Sequence, residues 1–224
     1  TQDNTRKKTY KAVCYNLATA PDDMHVVNYV NESVTYTDDR GTQDGVTYLP
    51  SLLAIFAVCN VTRGCTNYEC SNLSEVVEVD DNDAALGTGK FILFNGEDNT
   101  VRIAQGINSM TTTDGKTRTE DMKFIETVEA MDMMRDDITA VFRGTYLGNY
   151  RNTRDNQMLL LSSLNMSYFR QLMQQNILDP DFANAARIDV DAQRAAWMAS
   201  GKTEAESWDD DTVKANPFKR TVYL

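Results

Sequence analysis

The hydrophobic pattern of this 224-residue chain changes near its middle, and that change constrains the fold more than any other feature. Up to residue 104 most apolar residues come in short runs typical of strands. After a threonine-rich connector at residues 111–119, they recur every three or four residues, as on an amphipathic helix. The pattern therefore predicts an α/β fold of the α+β type, with a mixed β-sheet covered by long α-helices. The helical apolar positions are Met122, Ile125, Val128, Met131, Met134, Ile138, Val141 and Phe142.

The first half of the chain contains the strand signals. An antiparallel hairpin is predicted where residues 91–94 and 101–104 flank the polar loop at 95–99, which contains Asn95-Gly96. Three further apolar runs rich in β-forming residues predict short strands, at residues 10–16, 26–30 and 34–37. The polar residues 4–9 before the first run are interpreted as the end of a helix that begins upstream, so the chain is expected to start inside a larger protein.

Helices are predicted at four places. Residues 49–59 have apolar positions at helical spacing and Pro50 in the first turn, and this largely apolar helix is expected to be interior. A long helix is expected from Thr119, as its cap, to Phe142. Two more are expected at residues 154–176 and 191–200, the last ended by Gly201. Short strands are expected at residues 187–190 and 221–224.

Charge and composition exclude several kinds of partner. The 33 acidic and 22 basic side chains give a formal charge of −11, which repels nucleic-acid phosphates and anionic lipids. The longest basic run, residues 6–8, is interpreted as a solvated helix end. No stretch approaches the roughly 20 apolar residues that a membrane-spanning helix needs, and no signal peptide is recognised. We therefore expect no nucleic acid, no membrane and synthesis in the cytoplasm.

The residues that could carry chemistry do not combine into a reaction centre. His25 is the single histidine, and Cys59, Cys65 and Cys70 are spaced too widely for a typical zinc site, so they and Cys14 are expected to be free thiols. The acidic run at residues 80–83 is interpreted as a solvated helix start. No catalytic, cofactor-binding or metal-binding residue is predicted, and the protein is expected not to be an enzyme.

One alternative of another class stays open at this stage. Residues 87–90, Gly-Thr-Gly-Lys, look like part of a phosphate-binding loop, although Ala84 and Phe91 stand where that motif needs a glycine and a hydroxyl. They leave an α/β enzyme or binding protein for a phosphorylated small molecule as the second hypothesis. A third hypothesis is a virion or secretion-apparatus protein of similar fold that does not contract.

Residues 106–110, Gly-Ile-Asn-Ser-Met, and residues 124–132, Phe-Ile-Glu-Thr-Val-Glu-Ala-Met-Asp, follow the helix at 49–66 and the hairpin at 90–104 in a characteristic order. With these stretches, most of the chain from residue 8 to residue 224 resembles contractile phage tail sheath proteins, including the sheaths of phage-tail-like bacteriocins. Further residues follow in the family's order: Lys116, Asp136, Asp137, Ile138, Phe142, Tyr146, Leu147, Gly148, Asn152, Asn156, Asn165, Tyr168, Leu172, Ile188, Asp189, Val190, Asp191, Gln193 and Arg194. Met110 and Cys65 are departures, standing where leucine and serine are usual.

The resemblance implies a mechanical function. Sheath subunits stack helically around an inner tube and contract together to drive the tube through a cell envelope. The implied partners are other copies of the chain, the inner tail tube protein, the baseplate and the tail terminator, in a virion tail or tail-like particle assembled in the bacterial cytoplasm. Residues 1–45 would be the end of an upstream α/β sheath domain, and 46–224 the inner sheath domain without its C-terminal extension. The candidate subunit-interface residues are Thr221, Val222, Tyr223 and Leu224, as a terminal strand that adds to a neighbour's sheet.

Overall fold

A computed structural model describes residues 2–3, 8–19, 21–59 and 61–224. The chain divides into two compact units, Thr1–Asp137 (unit 1) and Ile138–Leu224 (unit 2). With 41% helix and 14% strand, the structure has the α+β composition that the hydrophobic pattern predicts. The fold class is therefore confirmed.

All the strands that the structure describes lie in unit 1. They are β1 (Gln2–Asp3), β2 (Lys8–Thr9), β3 (Ala12–Tyr15), β4 (Val26–Tyr29), β5 (Ser33–Tyr36), β6 (Thr42–Asp44), β7 (Leu73–Val76), β8 (Lys90–Phe91), β9 (Leu93–Asn95) and β10 (Val101–Ile103). They form small sheets rather than one mixed sheet: β1–β2 and β9–β10 are antiparallel pairs, β3–β4–β8 is parallel and β6–β5–β7 is antiparallel. Such short strands cannot extend a ladder far, because turns interrupt them every few residues.

The predicted hairpin is confirmed, with Leu93 opposite Ile103 and Asn95 opposite Val101. Its loop closes through a hydrogen bond from the Gly96 N–H to the Thr100 carbonyl oxygen, 2.7 Å long. Asn99 adopts a left-handed backbone with φ 58°, a conformation that asparagine tolerates better than most residues. The strands predicted in the first half are confirmed as β3, β4 and β5.

The helices are α1 (Leu49–Val58), α2 (Asn82–Gly87), α3 (Ile125–Val141), α4 (Arg154–Ser163), α5 (Phe169–Gln174), α6 (Val190–Ala199) and α7 (Asp210–Ala215). The π-helical turn Phe142–Tyr146 continues α3, and another, Leu164–Tyr168, joins α4 to α5. The four predicted helices are confirmed. The acidic run does begin a helix, since Asp81 caps α2 by accepting a 2.9 Å bond from the Ala84 N–H. Among the described residues, no helix combines the length and apolarity needed to cross a membrane.

Two expectations about these helices are wrong in detail. The helix α1 is not interior on all sides, because Leu53 is 53% and Val58 is 69% exposed while Leu52 and Ile55 are buried. The helix α3 starts at Ile125 rather than after Thr119, because the backbone of Phe124 is extended and separates it from a short 3₁₀ turn. Apolar spacing cannot distinguish such a turn from the first turn of an α-helix.

The remaining corrections concern the chain ends. The predicted strands at residues 187–190 and 221–224 are wrong for this chain, because neither belongs to a sheet. The two segments share one backbone hydrogen bond, from the Asp189 N–H to the Tyr223 carbonyl oxygen at 3.1 Å, and a ladder needs a series of them. The prediction that residues 4–9 end a helix is also wrong for Lys8–Thr9, because these two residues form strand β2. Residues 4–7, which include most of the basic run, lie outside the described residues.

Unit 1 has a continuous core built around large buried side chains. Tyr29, Tyr48, Phe91 and Leu93 have essentially no exposed surface. The core joins the parallel sheet, the antiparallel sheet and the inner face of α1. The burial of several aromatic rings at one place makes this unit the better packed of the two.

Candidate subunit interface

The four predicted interface residues lie at the surface of unit 2, in a stretch that we call the terminal segment (residues 217–224). Thr221 and Leu224 are exposed, whereas Val222 and Tyr223 are half-buried. The side-chain amide of Asn152 donates to the carbonyl oxygens of Thr221 at 2.9 Å and Phe218 at 3.3 Å. The segment is thus attached to its own unit at a few points, while much of its backbone has no partner in a ladder.

Aromatic side chains form the other attachment of the terminal segment. The ring of Phe218 meets the ring of Trp197 edge-on, with centroids 5.0 Å apart, and the ring of Tyr223 lies 6.2 Å from that of Phe218. The indole N–H of Trp197 donates to the Asn216 carbonyl oxygen at 2.9 Å. These contacts bring the terminal segment onto α6, which the sequence pattern did not indicate.

A groove of about 750 Å³ lies beside the terminal segment, and we call it the terminal groove. Its apolar wall comes from the π-helical turn after α3, where the rings of Phe142 and Tyr146 stack at 8° with centroids 6.4 Å apart. Tyr150 continues the row at 5.4 Å from Tyr146, and Val222 of the terminal segment lines the groove as well. One of the predicted interface residues, Val222, therefore lines this groove of unit 2.

The terminal groove is cationic within an acidic chain. Arg151, Lys219 and Arg220 line it, and none of them has a carboxylate partner among the described residues. No acidic side chain is among the lining residues of this groove. Unit 2 contains ten basic and ten acidic residues, so the whole formal charge of −11 resides in unit 1. Unpaired cations beside aromatic rings suit an acidic or amphipathic partner.

Unit 2 has a thin core and exposes many large apolar side chains. Its buried hydrophobic residues are confined to a short set: Leu160, Leu161, Leu164, Leu172, Ala205 and Val213. Its exposed large hydrophobic residues outnumber these and are Val141, Leu147, Tyr150, Met158, Leu159, Met166, Phe182, Met198 and Leu224. Apolar exposure on this scale is typical of a surface that other proteins cover.

Several polar residues that carried the sequence resemblance hold loops together rather than line a reactive site. The amide of Asn165 donates to the Ala186 carbonyl at 3.0 Å and accepts from the Ala186 N–H at 2.7 Å. Asn108 bonds in the same way to the Met122 carbonyl at 2.7 Å and the Met110 N–H at 2.9 Å. Side-chain amides that satisfy backbone groups fix loop geometry and need no catalytic explanation.

The histidine and the cysteines, which could in principle carry chemistry, have structural roles instead. His25 is buried, and its Nε2 lies 3.2 Å from the Asp132 carboxylate, which also accepts from Lys11 at 3.3 Å. The four cysteines are free thiols, and burial raises the pKa of Cys65 to about 12 and of Cys70 to about 11, which keeps both protonated. Within the described ranges, no cluster of three or more acidic, cysteine or histidine side chains is arranged to hold a metal ion.

The proposed phosphate-loop residues also take a different role. Residues 87–90 end the short helix α2 and enter strand β8. Gly89 has φ 72°, and a Cβ there would lie 2.9 Å from the Ser109 carbonyl oxygen, so protein backbone already occupies the space beside it. A phosphate loop must instead run from a strand into the start of a helix.

Comparison with known proteins supports the resemblance. Residues 117–216 match the family model for the phage tail sheath C-terminal domain. This segment belongs to the phage tail sheath family. It includes α3 to α7, and therefore most of unit 2 with the wall of the terminal groove.

Solved sheath proteins share the fold of this chain. The sheath tail protein of Desulfitobacterium hafniense is 22% identical with a TM-score of 0.66, over 77% of this chain and 40% of that one. The sheath tail protein Lin1278 of Listeria innocua is 19% identical with a TM-score of 0.66, over 80% and 41%. The helical sheath of the anti-feeding prophage, solved in its contracted state, is 12% identical with a TM-score of 0.57, over 76% and 48%.

The chain spans about two fifths of the length of the Desulfitobacterium and Listeria sheath proteins that it matches. No curated protein sequence matches it.

Sequence reasoning pointed to residues 221–224 of the terminal segment as a candidate interface but missed the groove beside them. The aromatic residues at positions 142, 146 and 150 recur every four residues, a signal that marks one helix face. The cations Lys219 and Arg220 stand next to the predicted strand. Both signals were visible, but only the fold shows that the two segments share one groove.

Proposed function

We propose that this chain is part of a contractile tail sheath subunit, which polymerises helically around an inner tube and contracts to drive that tube through a cell envelope. The observation that carries the proposal is the sheath C-terminal domain match over residues 117–216, in a chain whose fold is shared with a contracted helical sheath. The role is structural rather than enzymatic. Its partners are other copies of the chain, the inner tube protein, the baseplate and the tail terminator, within a tail or tail-like particle assembled in the bacterial cytoplasm.

The surface of unit 2 supports a role in assembly. A thin core with many exposed apolar side chains stabilises an isolated unit poorly, because the apolar surface removed from water is small. Burial of the same side chains against neighbouring subunits would supply the missing stabilisation. A repeated heterologous contact that does not close on itself produces an open helix, which is the symmetry of a sheath.

The terminal segment provides a way to connect subunits. In the proposal, residues 221–224 leave their few attachments and add as a strand to a sheet of a neighbouring subunit. Such backbone hydrogen bonds persist while the bodies of the subunits rotate during contraction. Residues 1–45 then end an upstream sheath domain, and residues 46–224 form the inner sheath domain.

Electron microscopy of the full-length protein, expressed with and without an inner tube protein from the same source, tests this proposal. We expect helical cylinders with the tube, and a shorter, wider form after a mild denaturant triggers contraction. A full-length protein that stays monomeric even in the presence of the tube protein would contradict the proposal. Cylinders whose length does not change after the trigger would contradict contraction but leave helical assembly standing.

A matched pair of variants tests the terminal strand. Val222→Pro removes a backbone N–H that a strand ladder needs, and we expect it to reduce polymer formation at least about tenfold. Val222→Thr keeps both the N–H and a β-branched shape, so its polymers should equal those of the unaltered protein. Equal assembly by the proline variant would show that this strand is not used.

A further inference from the structure

The loop at residues 178–184 presents the most exposed large apolar side chain that the structure describes. Phe182 is 71% exposed, more than any other large hydrophobic residue in those ranges. We call this stretch the Phe182 loop. Burial of an exposed phenylalanine ring is favourable, so its exposure here suggests that a partner covers it.

The Phe182 loop is held in shape by its own hydrogen bonds. The amide of Asn184 donates to the Asp179 carbonyl at 2.6 Å and to the Phe182 carbonyl at 3.2 Å. The Asp179 carboxylate accepts from the Asp181 N–H at 2.9 Å, and Pro180 between them has a restricted backbone. A loop ordered before binding loses little conformational entropy on docking, so the exposed ring is suited to be an anchor.

The charge beside Phe182 is negative. Asp179 and Asp181 are both exposed and precede the ring in sequence, and neither carboxylate has a cationic partner among the residues that the structure describes. The loop therefore presents an aromatic side chain next to two carboxylates that have no cationic partner there.

The terminal groove has the complementary surface. Its wall is aromatic and its cations, Arg151, Lys219 and Arg220, are unpaired. Phe182 does not line this groove, so the loop of the same chain does not fill it. A second groove of unit 2, of about 680 Å³, is also lined by cations, but it fits less well because no aromatic side chain lines it to receive the ring of Phe182.

We propose that the Phe182 loop of one copy docks into the terminal groove of a second copy, with Phe182 against the aromatic wall and its carboxylates beside the groove cations. This inference rests on the proposed function, since it names a contact within the assembly. Because loop and groove are different surfaces of one unit, the contact is heterologous and can repeat indefinitely along a helix. An aromatic anchor in a pocket is the usual form of an energetic centre in an interface.

Photo-crosslinking within assemblies tests the contact. Benzoylphenylalanine is placed at position 182 of the full-length protein, and copies labelled with heavy nitrogen are mixed with unlabelled copies before assembly. The aromatic wall and the cations of the groove lie outside residues 221–224, so they remain in place when the terminal strand joins a neighbour. We expect crosslinks between heavy and light chains that join position 182 to residues 142–157 or 219–220. The same amino acid at position 58, where Val58 is 69% exposed in unit 1, is the control and should not reach those residues.

The outcomes separate this inference from the proposed function. Assemblies whose crosslinks from position 182 fall outside the groove, or only within one chain, would overturn the docking contact and leave the sheath function standing. Failure to assemble at all would contradict both.

A substitution gives an independent measure of the same contact. Phe182→Ala should raise the critical concentration for polymerisation at least about tenfold, since truncation of an aromatic anchor commonly costs that factor or more. Phe182→Tyr keeps the ring and should stay close to the unaltered protein. An unchanged critical concentration for the alanine variant would overturn the proposal.

Discussion

Asp22 shows how single side chains stabilise loops in unit 1. Its carboxylate accepts from the N–H groups of Thr112 at 2.9 Å and Thr111 at 2.7 Å, and Arg118 lies 3.0 Å away. These backbone hydrogen bonds, together with the guanidinium, hold the pKa of Asp22 well below its ordinary value. The residue thereby connects a loop before β4 to the polar connector after the hairpin, and its ionised form is the one that stabilises the fold.

Stability should therefore depend on the charge of Asp22 in a defined pH range. A carboxyl whose pKa is lowered by folding stabilises the protein above its unfolded pKa of about 3.9, and this contribution is lost as the pH falls through the lowered value. We expect Asp22→Asn to be less stable than the unaltered protein in urea at pH 7, with the difference shrinking below about pH 4. Asp39→Asn, at an exposed carboxylate without a hydrogen-bond partner among the described residues, is the control. A difference that stays constant with pH would contradict this explanation.

Among the buried side-chain amides of unit 1, Asn31 is the one whose removal should lower the free energy of unfolding most. It is fully buried, its Nδ2 donates to the carbonyls of Val77 and Leu93 at 2.9 Å, and its Oδ1 accepts from the Leu93 N–H at 2.8 Å. Asn31→Ala leaves these backbone groups unsatisfied, so we expect a loss of about 3 kcal/mol in the free energy of unfolding. Asn149→Ala, in an exposed turn where the amide donates to the exposed Thr145 carbonyl at 2.9 Å, should change it by less than about 0.5 kcal/mol. Denaturant unfolding followed by circular dichroism measures both, and equal losses would refute the role assigned to Asn31.

At the scale of single elements, the turn between α2 and β8 depends on one glycine. Gly89 has φ 72° and contacts the Ser109 backbone, whereas a Cβ at Gly87 would meet no atom within 4 Å. We expect Gly89→Ala to destabilise the protein by about 2 kcal/mol, because it combines backbone strain with a clash. Gly87→Ala should be neutral or stabilising by up to about 1 kcal/mol, since alanine favours the helix. Thermal unfolding distinguishes them, and a tolerated alanine at position 89 would show that the turn adapts.

Elements with strong periodicity were predictable, and those set by tertiary contact were not. The hairpin and the long helices followed from local pattern alone, because turn residues and apolar spacing act within a few residues. The π-helical turns at Phe142–Tyr146 and Leu164–Tyr168 did not, since the same spacing also suits an uninterrupted α-helix. The apolar residues at 221–224 suggested a strand, but a strand needs a partner. Among the described residues, one backbone hydrogen bond, from the Asp189 N–H to the Tyr223 carbonyl oxygen, connects this segment to another extended one.

At the scale of the whole molecule, charge and burial are distributed unequally. Unit 1 has the large aromatic core and the entire net negative charge, while unit 2 is neutral with a thin core and a cationic groove. Neither contrast was predicted, because net charge and average composition do not reveal how residues are divided between units. The candidate interface was predictable only in part: the terminal residues were named from the sequence, whereas the groove combines segments about 70 residues apart.

We propose that copies of this chain are connected through the terminal segment in a helical assembly. A helical reconstruction by cryo-electron microscopy of the assembled full-length protein measures this connection directly. We expect density in which residues 221–224 form a strand hydrogen-bonded to a sheet of a neighbouring subunit. A well-resolved helical map in which these residues stay on their own unit, attached through Asn152 and Asp189 as in the isolated chain, would contradict it.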